Sequence, residues 1–148
     1  MTPLLVFRRV AVAEAITWAL LLFGMFLKRV THTTELGVTV FGMLHGIVFL
    51  TFCLVTVLVA VDQRWSRGRL LLGLASSVPP FATIAFERYA ERRGLLDDRW
   101  HTSPETNETT AERVVCWLLR HQVAALASLG AAVAVLATGA LIVGPPAG

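Results

Sequence analysis

Apolar residues run along this chain in long unbroken stretches rather than in short periodic faces. Four stretches stand out, at residues 10–27, 36–61, 70–86 and 123–143. A continuous apolar run of about 18 or more residues marks a helix that crosses lipid, because each residue adds ~1.5 Å across a hydrocarbon core of roughly 30 Å. The second stretch is rich in Val, Ile, Phe and Thr, which in water would favour strand. In lipid every backbone group must find its partner within the segment, so helix prevails. The pattern predicts an all-α, polytopic transmembrane bundle of about four helices. After the first three stretches come a polar loop over 91–113 and a C-terminal transmembrane helix with a short tail over 114–148.

The polar interruptions refine this picture. Arg8 and Arg9 precede the first stretch, and Lys28 and Arg29 follow it. Ala13-Glu14-Ala15 mimics a signal-peptide cleavage site, but the apolar run follows the triplet instead of preceding it, so a retained helix is expected. In the third and shortest stretch, Ser76-Ser77 is followed by Pro79-Pro80. Proline removes backbone donors and clashes with the preceding turn, which predicts a kink or break near Ser76. A re-entrant half-helix is the alternative to a full crossing. Residues 87–113 read as an aqueous loop, helical near its start and flexible through Ser103-Pro104. Asn107-Glu108-Thr109 matches a glycosylation triplet that is common by chance. The fourth stretch is almost all Ala, Leu, Val and Gly, a composition suited to close helix contact.

Composition and charge agree with lipid. Charged residues make up 16% of the chain, against about a quarter in soluble domains, and the shortfall lies within the four stretches. The net charge of +3 comes from basic residues at the ends of apolar runs, where they reach headgroups. No basic run interleaves with aromatics, which argues against a nucleic-acid partner. Cys53 and Cys116 form neither a disulfide framework nor a zinc cluster and read as packing residues. With four full crossings, the positive-inside rule favours a multi-pass plasma-membrane protein with its third loop in the cytoplasm. Lys28 and Glu87 then emerge on one side and Arg8 and Asp62 on the other, with Arg88 as a further interfacial charge.

The few polar residues within the stretches carry the candidate chemistry. Glu14 is the most demanding, since a carboxylate in hydrocarbon costs a few kcal/mol or more and must be protonated, paired or facing water. Arg8 lies six residues away, outside the reach of one helix face, so a partner on another helix is expected. Counting depth at ~1.5 Å per residue brings Glu14, His45 and the Ser76-Ser77 pair to comparable levels, where they can form one intramembrane polar network. Such a network either fixes helix register or relays a proton or holds a small ligand. Gly42 and Gly46 form a Gly-x-x-x-Gly groove for close helix packing, and Pro79 and Pro80 form the kink. His32, His101 and His121 read as surface histidines. No nucleophile motif, phosphate loop or metal-ligand spacing is present, so neither catalysis, cofactor nor metal is expected.

Ordered landmarks give a further lead. Phe7-Arg8, Glu14, Met25, Leu27-Lys28 and Gly42-Met43-Leu44-His45-Gly46, then Trp65-Ser66, Ser77-Val78-Pro79-Pro80-Phe81 and Glu87-Arg88, recur in sequence order. This set resembles a bacterial membrane family, domain of unknown function 3817, also called the integral membrane His-Gly family, over about residues 5–90. Phe26 stands where the family usually has Pro, and Pro79-Pro80-Phe81 replaces a more usual Pro-Phe-Gly. The resemblance implies a three-helix membrane fold and no assigned activity. The expectation is a non-enzymatic accessory subunit or helix-bundle scaffold whose partners are the bilayer and a membrane protein or a second copy. The alternative is a small carrier or proton-coupled channel using Glu14 and His45.

Overall fold

The computed structural model describes residues 2–30 and 36–101, together with Ala127, Ala131 and Val135. Its helices are α1 (Pro3–Arg29), α2 (Leu36–Asp62), α3 (Arg67–Ala75) and α4 (Ala82–Arg92), with no strand among the described residues. The fold class read from the sequence is therefore found. The predicted fourth stretch lies outside the described residues, apart from Ala127, Ala131 and Val135, which are helical.

Helix α1 begins where local chemistry allows. The Thr2 hydroxyl accepts from the Leu5 N–H at 3.3 Å, and Pro3 occupies the first turn, where its missing donor costs nothing. Lys28 and Arg29 close the last turn, facing the negative end of the helix dipole. Helix α2 ends in a Schellman arrangement, Trp65 N–H donating to Ala60 O at 2.8 Å and Arg64 N–H to Val61 O at 3.2 Å. Arg64 takes the left-handed position there, φ 51°, which glycine usually fills. At 27 residues each, α1 and α2 are long and apolar enough to cross a membrane.

These two helices lie antiparallel. At one end the Phe7 and Phe52 rings sit 5.5 Å apart. Toward the other, Gly24 meets Gly37 so closely that a Cβ on Gly24 would stand 2.9 Å from the Gly37 carbonyl. Backbone touches backbone at that point, as small residues allow in lipid.

The third apolar stretch does not form one helix. After Ala75 the Ser76 and Ser77 hydroxyls turn back onto the carbonyls of Gly73 and Leu74, at 2.7 and 2.6 Å. Pro79-Pro80 cannot donate, and the chain reverses through Phe81, a left-handed residue at φ 66°. Helix α4 then runs back along α3, with Phe86 so close that a Cβ on Gly73 would meet its ring at 3.1 Å. The result is a helical hairpin whose tip reaches the middle of α1 and α2. Both its ends lie where α1 starts and α2 stops.

Arg8 fixes that return, its Nε 2.7 Å from Glu87 and its Nη2 2.7 Å from Glu91. Glu87 thus emerges beside Arg8, not on the side of Lys28 as four full crossings required. The cause is the Pro-Pro break, which reverses the chain instead of kinking it.

The start of the predicted aqueous loop is also docked. Leu95 and Leu96 are buried in the core with Phe7, Phe52, Phe86 and Ala90. Trp65 Nε1–H donates to Leu95 O at 2.8 Å, and the His101 N–H to the Asp62 carboxylate at 3.1 Å. Gly94, at φ 63°, makes the turn that brings this strap across the end of α2. Asp62, the last residue of α2, is accordingly buried beneath the strap. The remainder of the predicted loop lies outside the described residues.

Candidate functional site

Helix periodicity puts Glu14, Thr17 and Trp18 on one face of α1, at i, i+3 and i+4. That face meets three other parts of the fold in a single polar layer at the level of the hairpin tip.

Glu14 is fully buried. The Thr83 hydroxyl, in the first turn of α4, lies 2.7 Å from its Oε2 and 3.3 Å from the Ala11 carbonyl oxygen. A threonine hydroxyl has one hydrogen to give. It serves either the carboxyl group or the carbonyl. If it serves the carbonyl, a carboxylic acid at Glu14 completes the chain by donating to Thr83. Oε1 of Glu14 has no partner, the one buried side-chain oxygen or nitrogen in that position among the described residues. An uncompensated polar atom in a low-dielectric interior costs on the order of 1–3 kcal/mol, so this position is held by its surroundings rather than by its own preference.

His45 enters the layer from α2. The Thr17 hydroxyl donates to the Glu14 carbonyl at 2.9 Å, leaving its lone pairs toward His45 Nδ1 at 3.1 Å. This pattern suits the Nδ1–H tautomer as donor. Trp18 packs on the imidazole, ring centroids 4.6 Å apart, and its Nε1–H donates to the Ser77 carbonyl at 3.4 Å. Cys53 Sγ lies 4.0 Å from Ser77 Oγ. Glu14, His45 and Ser77 therefore share one layer. No hydrogen bond joins Glu14 to His45 directly, because Thr17 stands between them.

Other residues singled out in the sequence are placed differently. Ser76 spends its hydroxyl on its own helix and stays out of the layer. Gly46 has nothing within 4 Å of where a Cβ would sit, and Gly42 has Leu21 at an ordinary 3.8 Å. The close approach expected at that pair occurs instead at Gly24 and Gly37, and again at Gly73. Pro79 and Pro80 are exposed at the hairpin tip, Lys28 is exposed at the far end, and Arg88 is exposed on α4. Sequence reasoning missed Thr83 and Trp18. The signal for Thr83 was present, since it is the one hydroxyl between Ser77 and Glu87 and Glu14 demanded a partner on another helix.

The layer offers one carboxyl group, one imidazole, the Trp18 indole, the hydroxyls of Thr17, Thr83 and Ser77, and the Cys53 thiol. No group of three His, Cys, Asp or Glu side chains that could hold a metal ion occurs among the described residues.

Comparison with known proteins fits this fold. The family described as "Domain of unknown function (DUF3817)" matches residues 4–92, the two long helices and the hairpin. A Streptomyces coelicolor protein named "Putative membrane protein SCO5905" is 52% identical over 91 residues. That match covers 61% of this chain and 11% of the relative, so the chain spans a small part of the relative's length. No solved structure matches the chain.

Proposed function

The chain belongs to the family described as Domain of unknown function (DUF3817), and from that premise we propose that it is a non-enzymatic membrane module, an accessory or scaffolding unit for a larger membrane assembly. The observation that carries this reading is the relative in which the matched unit makes up 11% of a longer chain. A unit built into a longer membrane protein is suited to anchoring and helix contact. The polar layer supports the same reading, because its hydroxyls, imidazole and indole are spent on one another and on backbone carbonyls.

In this reading α1 and α2 cross the bilayer of the plasma membrane and α3–α4 is a re-entrant hairpin. Irregular backbone at its tip is tolerated because it is packed against other helices. Arg8 and Arg9, the three arginines of residues 64–69, and Arg88, Arg92, Arg93 and Arg99 then emerge at one end. Lys28 and Arg29 are the basic residues described at the other. The positive-inside rule puts the arginine-rich end in the cytoplasm, together with the amino terminus.

A second reading rests on one atom. Glu14 Oε1, buried and without a partner, is where a proton-coupled carrier would exchange its proton. Crosslinking in native membranes followed by mass spectrometry separates the two. A module gives a stoichiometric link to a distinct membrane protein, and Glu14→Gln lowers its folded yield. A carrier gives self-links at most, and Glu14→Gln abolishes proton flux in vesicles while the protein stays folded; that outcome sinks the module reading.

A further inference from the structure

The outer face of the α3–α4 hairpin carries a groove of about 340 Å³ lined by Leu72, Ala75, Ser76, Pro79, Ala82, Phe86 and Tyr89. Its volume falls in the range of small-molecule sites, roughly 300–1,000 Å³. The lining is almost all carbon: of its two hydroxyl-bearing residues, Ser76 and Tyr89, the first turns its hydroxyl onto the Gly73 carbonyl at 2.7 Å. Leu72, Ala75, Pro79 and Tyr89 are exposed, so the groove opens outward from the bundle, toward lipid.

Its two ends differ. The deep end is the proline tip. At the shallow end, Tyr89 carries the Arg93 guanidinium over its ring at 5.6 Å. Arg69 lies three residues before Leu72 on α3, and therefore on the same helix face. Neither arginine is paired with a carboxylate among the described residues. Helix α3 also starts there without an acidic residue in its first turn, which adds the positive end of its dipole.

An apolar slot with the Arg93 guanidinium over Tyr89 at one end, and Arg69 on the Leu72 face of α3, matches one amphipathic shape. We propose that this groove is a binding site for an anionic phospholipid, with an acyl chain along the α3–α4 slot and the phosphate held by Arg69 and Arg93. Guanidinium matches phosphate geometry bidentately, and basic pockets at helix ends hold anionic headgroups. The acyl chain covers the side chains that the hairpin leaves open, and the headgroup supplies the charge that the two arginines lack. The site is separate from the polar layer and goes beyond the proposed function, since a module and a carrier would each accommodate it.

The full chain, reconstituted in nanodiscs of equimolar phosphatidylglycerol and phosphatidylcholine, is released for native mass spectrometry. One retained phospholipid per chain is expected, with phosphatidylglycerol favoured roughly fivefold or more, the scale of one surface arginine against an anionic headgroup. Arg69→Gln with Arg93→Gln brings that preference close to one while leaving thermal stability unchanged. Ala75→Leu, at an exposed position, fills the slot and lowers retention of both lipids. Unchanged phosphatidylglycerol preference in the arginine variant overturns the headgroup assignment. Unchanged retention in Ala75→Leu, or a disulfide from Leu72→Cys to a cysteine placed in residues 123–143 or in a second copy, overturns the groove as a lipid site.

Discussion

Arg8 Nε sits 2.7 Å from Glu87 Oε1, although 79 residues separate them in the chain. The contact ties the return of α4 to the start of α1 and so decides which end of the bundle the hairpin closes at. Its two arms are unequal. The Glu91 side chain is 45% exposed and the Glu87 side chain 7%. A solvated pair contributes less than about 1 kcal/mol, whereas removing the partner of a desolvated carboxylate costs more. Arg8→Gln, which removes both arms, is expected to lower stability by more than Glu91→Gln, which removes only the solvated one. Thermal unfolding in mild detergent measures both, and equal losses would show that the Glu87 arm contributes nothing.

The hairpin also fixes which residues share a side. In a background lacking Cys53 and Cys116, single cysteines at Arg9, Arg67 and Arg93 should react with an impermeant maleimide from the same face of a sealed vesicle. A cysteine at Val30 should react from the opposite face. If Arg93→Cys labels together with Val30→Cys, the third stretch crosses the bilayer and the reversal at Phe81 is wrong.

Much of this fold was legible because its physics is one-dimensional. Length and apolarity alone specify α1 and α2, and the family landmarks run in order through both and into the hairpin. The break at Ser76 was legible as well, since Pro79-Pro80 removes two donors in succession. The direction of the chain beyond the break was not. It depends on Phe81 adopting a left-handed conformation and on Arg8 meeting Glu87, and neither shows in local spacing. The same holds for the strap. Leu95-Leu96 is a short apolar pair inside a charged stretch, and only the turn at Gly94 and the acceptors on Asp62 and Leu95 explain its burial. In the polar layer, Glu14, His45 and Ser77 could be named from the cost of polarity in lipid. Their intermediaries Thr17, Trp18 and Thr83 are ordinary residues in membrane helices and acquire meaning from geometry.

Glu14 and Thr83 form a polar contact at 2.7 Å between two fully buried side chains. Glu14→Gln keeps a hydrogen bond to Thr83 but adds an amide N–H with no acceptor, and Thr83→Val keeps the shape but removes the hydroxyl. Each should cost about 1–3 kcal/mol, the penalty for a buried polar group left unpaired. Because the two side chains meet directly, the double variant should fall short of the sum of the singles by at least ~0.5 kcal/mol. Chemical or thermal unfolding of the four proteins in one detergent tests this. Strict additivity would mean that the two side chains do not interact.

Glycines that look alike in the sequence should respond in opposite ways. A Cβ at Gly24 would lie 2.9 Å from the backbone carbonyl of Gly37, and one at Gly73 would lie 2.9 Å from Thr56 Cγ2 and 3.1 Å from the Phe86 ring. In the first case the obstacle is main chain, so α1 and α2 must separate, and overpacking of this kind costs about 1–3 kcal/mol. At Gly73 a methyl and a ring must both move, and the hairpin loosens. Gly46 has open space where its Cβ would be, and alanine is the better helix former by about 1 kcal/mol. Gly24→Ala and Gly73→Ala should therefore lower the unfolding temperature in detergent, while Gly46→Ala leaves it unchanged or raises it. In native membranes Gly46→Ala becomes informative in a further way. Loss of a crosslinked partner in that variant, with folding intact, would mean that the small-residue face of α2 is used between chains rather than within this one.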